Sequence, residues 1–156
     1  MTEVARRVTI RVEPLTAEAY APFGTLVTPE RQLLWIDPGQ YTARLMTLEP
    51  LAKEIRHVNR HPDHIQLFVP SNDRPFYLVV APAEMTAASF DPARIRIFLN
   101  DGTQSITFGK NVWHIAPRAV DGELTVVVNV QGSRQFEFQE DLDMSKVLGT
   151  VIEVAR

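Results

Sequence analysis

An all-β protein, built as a barrel or double-sheet jelly roll with one or two short helices, is what this sequence predicts. Three observations lead there. About ten short runs carry strand-like apolar patterns, most of them alternating at a two-residue period. Gly, Pro, Asn and Asp punctuate the intervals between them. Eleven prolines in 156 residues argue against a bundle of long helices.

Taken in order, Val8 to Val12 (VTIRV) alternates and is rich in β-branched residues, giving a first strand. Thr16 can cap a short helix over the following Ala-Glu-Ala-Tyr-Ala, which Pro22 and Gly24 stop. Gly24 to Val27 reads as a short strand, and Thr28 to Tyr41 as a loop whose apolar Leu33, Leu34 and Trp35 suit a flap on the core, a subunit contact or a lid. Ala43 to Leu48 and Lys53 to Val58 are read as a strand pair, and Ile65 to Pro70 as the next strand, with His64, Gln66 and Phe68 on one face. Phe76 to Val80 (FYLVV) is nearly continuous in apolarity, as expected of a strand buried on both sides.

Arg94 to Leu99 alternates so that Ile95, Ile97 and Leu99 point one way. Asn100, Asp101 and Gly102 then spell a hairpin turn into the strand Ser105 to Phe108. Gly109, Lys110 and Asn111 make a second turn into Val112, Trp113 and His114, where Val112 and His114 share a face and Trp113 takes the other. Leu124 to Val130 and Arg134 to Phe138 are further strands; Glu140 to Leu148 has helical character, stopped by Gly149.

Composition bounds the function. The length suits one domain over residues 1–156, and 45% hydrophobic residues suffice for a core. Without cysteine there is no disulfide framework, thiolate metal site or cysteine nucleophile. A formal net charge of −3 offers no basic excess for nucleic acid. No stretch has the length of a signal peptide or membrane span, so a soluble, cytoplasmic protein is expected. Phosphate-binding glycine loops, dinucleotide fingerprints and G-x-S-x-G elbows are absent.

Polar side chains from two segments are the candidates for chemistry: His61, His64 and Gln66 in one, Lys110, Asn111 and His114 in the other. Taken singly, His57 and His64 read as hydrogen-bonded packing residues, Trp113 as core and Lys110 as a solvated charge. His114 stands apart because it follows a glycine turn on a strand expected to line the barrel mouth. Imidazoles and an amide oxygen from His61, Gln66 and His114 form a weak metal-ligand set, since no Asp or Glu follows His64-x-Gln66 at strand spacing.

The segments RHPDHIQLFVP and NDGTQSITFGKNVWHIAP, with the earlier VEPLTAEAYAPFG, resemble the ureidoglycolate lyase (ureidoglycolate hydrolase) family, a cupin-like β-barrel group. The resemblance runs over most of the chain and is most specific at Arg60-His61-Pro62 with Gln66 and Phe68, and at Asn111-Val112-Trp113-His114. It implies an enzyme of purine and allantoin breakdown that splits ureidoglycolate into glyoxylate and urea, usually a homodimer, with a divalent metal such as nickel as cofactor. Three positions depart from the family pattern: Asn59 stands where Glu is usual, Gly109 where His is, and Asn129-Val130 where an Asp-Arg pair is. Each replacement removes an ionisable group.

For such a lyase His114 is the leading acid or base and His61 the second. Lys110 is expected to pair with the substrate carboxylate, Gln66 and Asn111 to hydrogen-bond the urea end, and Arg60 to join the substrate-binding set. The alternative is a divergent member of the same fold that binds or transforms another small carboxylated metabolite, which the lost acidic and histidine positions favour.

Overall fold

The computed structural model describes residues 4–30, 39–133 and 138–156. In chain order its strands are β1 (Arg6–Pro14), β2 (Leu26–Val27), β3 (Tyr41–Thr47), β4 (Glu54–Ile55), β5 (His57–Arg60), β6 (Gln66–Pro70) and β7 (Phe76–Ala81). After these come β8 (Arg96–Asn100), β9 (Ser105–Phe108), β10 (Trp113–His114), β11 (Arg118–Ala119), β12 (Val126–Gly132), β13 (Glu140–Asp143) and β14 (Thr150–Ala155). The helices are single turns, α1 (Ala17–Tyr20) and α2 (Met144–Val147). As expected, the Thr16 side chain accepts a hydrogen bond from the Ala19 amide at the start of α1. Asp143 does the same for Lys146 in α2.

Two sheets result. The larger runs β13-β5-β10-β7-β8-β1-β14-β4 with β11 alongside β7, and curls into half a barrel; the smaller, antiparallel one runs β2-β9-β6-β12-β3. The architecture is mostly β and consistent with a cupin-like fold. Its only parallel ladders between strands join β1 to β8 and β1 to β14, among the described residues.

The central strand β7 explains why FYLVV is continuous in apolarity. Phe76, Leu78 and Val80 enter the core between the sheets with Phe68, Phe98, Ile106, Phe108 and Val127. Tyr77, Val79 and Ala81 point the other way, into a second core with Trp113, Ile97, Leu142, Met144 and Ile152. One strand thus serves two hydrophobic layers, and alternation is hidden because both faces are buried. The opposed faces of Val112 and Trp113 follow the same rule: Val112 lies in the first core and Trp113 in the second.

Several expectations are corrected. The Asn100-Asp101-Gly102 turn is present, with Gly102 at φ 91° and Asn100 Oδ1 accepting from the Gly102 amide. It joins no hairpin, however, because β8 and β9 belong to different sheets and the turn carries the chain across between them. Lys53 to Val58 is not one strand but two, β4 and β5, which pair with different neighbours. On β8, Ile97 is buried and Leu99, two residues on, is exposed, while Phe98 is buried on the opposite side. The helical reading of Glu140 to Leu148 holds only from Met144, since Glu140–Asp143 pairs with β5. Gly149 stops α2 at φ 58°. Leu33, Leu34 and Trp35, which with the family resemblance prompted the homodimer expectation, lie outside the described residues, as does most of Arg134 to Phe138.

The turn after α1 is pinned to β9. Tyr20 Oη donates to the Thr107 carbonyl at 2.8 Å, and the Thr25 amide donates to Thr107 Oγ1 at 2.9 Å. A Cβ at Gly24 would stand 1.9 Å from that carbonyl oxygen. Gly24→Ala is therefore expected to destabilise the fold by about 1–3 kcal/mol or more, seen as a lowered midpoint in urea denaturation. An unchanged midpoint would mean that this junction shifts freely.

Candidate active site

Along three strands the inward face changes chemistry part-way while the strand period is kept. On β12, Val127 is core, and Asn129 and Gln131, two and four residues on, line a cavity instead. On β6, Phe68 is core and Gln66 reaches the cavity. On β3, Met46 and Arg44 both line it. The register brings these together, with Asn129 opposite Phe68 on one side and Arg44 on the other. The larger sheet supplies Asn59 from β5 and His114 from β10, which are direct cross-strand partners. His61, Ala116 and Gln139 complete a cavity of about 100 Å³ between the sheets. A wider groove of about 580 Å³, containing Arg56, His57 and Arg118, adjoins it through the shared Asn59 and Ala116.

His114 is buried, and its Nδ1 lies 2.9 Å from the Val112 carbonyl oxygen. A carbonyl only accepts, so Nδ1 carries the proton and Nε2 keeps the lone pair. The ring stacks on Phe108 at 4.5 Å. Burial pushes the His114 pKa down to about 3 against the opposing pull of the Val112 carbonyl, with His61 and His64 adding like-charge repulsion. At neutral pH it is an uncharged proton acceptor. His61 lies between two other imidazoles, 5.2 Å from His114 and 5.0 Å from His64 between ring centroids.

His64 is buried with Nδ1 2.8 Å from Asp63 Oδ1 and does not line this cavity. Gly132 makes room for it, since a Cβ there would come within 3.0 Å of the imidazole. His57 pairs with Asp143 at the surface.

The expected site residues therefore divide. His61, Gln66 and His114 converge on one cavity, while Arg60, Lys110 and Asn111 do not line it. Arg60 donates to Glu140 and the Met85 carbonyl, and its guanidinium lies 4.3 Å from the Trp113 ring centroid. It braces the second core. Asn111 adopts φ 61° and its amide donates to the His61 carbonyl at 3.0 Å, so it holds the His61 segment through backbone. Gly109 donates its amide to Phe23 O in the same turn. Arg44, Gln131 and Gln139 are lining residues that sequence reasoning missed.

A metal is a poor match to this lining. The facing donors are the His61 and His114 imidazoles and the amide oxygens of Asn59, Gln66 and Asn129, with no carboxylate among them, and Arg44 adds a cation. Among the described residues no three His, Asp or Glu side chains group to hold an ion. Nickel and zinc sites of the imidazole type ordinarily add a carboxylate or further histidines. The His61, Gln66 and His114 set does not fit a resident divalent ion, and the chemistry below uses none.

Residues 41–148 match the family model described as ureidoglycolate lyase. The chain belongs to the ureidoglycolate lyase family. A ureidoglycolate lyase of Brucella anthropi is 35% identical over 127 residues, covering 68% of this chain and 73% of that protein. A ureidoglycolate lyase of Burkholderia mallei is 34% identical over 127 residues, with 68% and 72% covered. One from Brucella abortus biovar 1 is 31% identical over 153 residues, with 85% and 88% covered. The match to the ureidoglycolate lyase model includes every lining residue of the cavity, from Arg44 to Gln139. No helix among the described residues is long and apolar enough to cross a membrane.

Proposed function

We propose that this ureidoglycolate lyase family member cleaves ureidoglycolate into glyoxylate and urea in the cavity between the two sheets. The observation that carries the reading is His114: in a chain of this family, a neutral imidazole with its Nδ1 proton fixed on Val112 O borders a cavity whose other polar lining is the His61 imidazole, amides and one guanidinium. In the reaction Nε2 of His114 takes the substrate hydroxyl proton as the C–N bond breaks and the carbonyl of glyoxylate forms. The ureido nitrogen leaves with the bonding pair and receives a proton, so one proton passes in net from oxygen to nitrogen and urea departs neutral. In this reading His61, whose ring centroid is 5.2 Å from that of His114, returns that proton. Arg44, exposed at the rim, pairs with the substrate carboxylate. An anion bound there also raises the basicity of His114 against the pull of burial.

The test is direct assay of both products from each enantiomer of ureidoglycolate, with and without added nickel. Equimolar glyoxylate and urea above the uncatalysed rate is the expected result; a rate equal to that of buffer overturns it. The absence of a carboxylate from the lining favours a second reading, a binding protein for a small carboxylated metabolite, whose signature is saturable binding without product.

A further inference from the structure

Three amide oxygens, Asn59 Oδ1, Gln66 Oε1 and Asn129 Oδ1, are buried and meet no hydrogen-bond donor. All three side chains line the same cavity. Gln66 is 6% exposed and Asn129 2%. Two of these oxygens are oriented by a neighbour: Gln131 Oε1 accepts from both Gln66 Nε2 and Asn129 Nδ2. Turning either amide over would set oxygen against oxygen. A buried, unpaired oxygen is unfavourable to the fold, so the cavity concentrates unmet demand for N–H donors.

We propose that these oxygens form the subsite for the carbamoyl end of a ureido compound, –NH–CO–NH2, and that Asn59 and Asn129 determine specificity with Gln66. That end has one N–H on its inner nitrogen, two on its outer nitrogen, and no formal charge. Three neutral acceptors match it in number and in charge. A carboxylate in the same place would oppose oxygen to oxygen, and a primary ammonium would share the cavity with the Arg44 guanidinium. A volume of about 100 Å³ suits a group of a few heavy atoms. The inference rests on the cavity being the substrate site, and adds a direction to it: the carbamoyl end sits against the amides and the carboxylate end at Arg44. The amides at 59 and 129 then act as recognition groups in their own right.

Isothermal titration of the whole chain with N-carbamoylglycine and N-acetylglycine tests this. Neither has the hydroxyl needed for cleavage, and they differ only in an amino group replaced by methyl. The carbamoyl compound is expected to bind roughly tenfold tighter or more, and Asn59→Ala, Asn129→Ala and Gln66→Met are each expected to erase much of that preference. Circular dichroism checks that each variant is folded, and the comparison of probes on the parent needs no variant. Equal affinity for the two probes overturns the subsite, as do variants that discriminate like the parent. Saturable binding of nickel chloride that is lost in Gln66→Met also overturns it. The cleavage assay separates the two readings: cleavage without discrimination overturns the subsite alone, and discrimination without glyoxylate release overturns cleavage alone.

Discussion

His114→Gln is expected to lower the rate of ureidoglycolate cleavage by roughly two to four orders of magnitude, the contribution of a positioned general acid or base, in a protein that still folds. Gln retains an N–H donor of similar reach for the Val112 carbonyl, but has no basic nitrogen to accept a proton. The same variant should change stability against pH. With its folded pKa near 3 and an unfolded value near 6.5, His114 is neutral in both states above about pH 6.5. As the pH falls from there towards 3, the unfolded chain takes up a proton that the folded chain refuses. Stability therefore declines by up to about 1.4 kcal/mol per pH unit. His114→Gln removes that contribution, so its urea midpoint should fall less between pH 6.5 and 4 than the parent's. Below that range Asp143 joins in, because its carboxyl is held well below the usual value, first by the Ser145 hydroxyl, against the opposing effect of desolvation, with the Lys146 amide and His57 adding to the lowering. A folded His114→Gln protein with parental activity would remove this residue from the mechanism and leave His61.

Trp113→Ala, one residue away, should act on stability and scarcely at all through chemistry. The indole is fully buried, edge-on to Phe90 at 5.4 Å, with Nε1 donating to the Met85 carbonyl at 2.8 Å and Arg60 across its face. Truncation leaves a cavity in the second core and costs about 3–5 kcal/mol. It also deprives Arg60 of its aromatic support. Urea denaturation of the variant should show a correspondingly lower midpoint. A loss below about 1 kcal/mol would mean that Phe90 and Met85 close over the space.

The contrast between these neighbours shows what the sequence made legible. Strand period alone separates Trp113 from His114, and it places Gln66 with Phe68. The same period explains why Arg60 misleads: a family motif runs along the chain, whereas at the end of β5 successive side chains part, so Arg60 packs on Trp113 while His61 reaches the cavity. Asn111 serves the turn through its positive φ and does not reach the cavity. Gln131, and the inward face that it shares with Asn129, were hidden for another reason. In VVVNVQG a polar residue at every second position reads as the solvent face, and only the register against β3 and β6 shows that this face looks inward. Arg44 lies on β3, where exposure along most of the strand gives no alternation to read. Strand β14 went unpredicted because its pairing is parallel to β1, a contact that no local turn announces.

That pairing shapes how the molecule comes to be folded. Arg6 is aligned with Thr150 and Arg11 with Ala155, so β1 must wait for residues made nearly a whole chain later before its ladder is complete. Until then Val8, Ile10 and Val12 have no second core to cover them. Closure of so long a segment is slow, and a nascent chain in this state offers an open, apolar strand edge to any neighbour. Synthesis in the cell thus has a vulnerable interval that ends only when β14 leaves the ribosome, and lesions in β14 should appear first as aggregation during expression, before any loss at the distant cavity is seen.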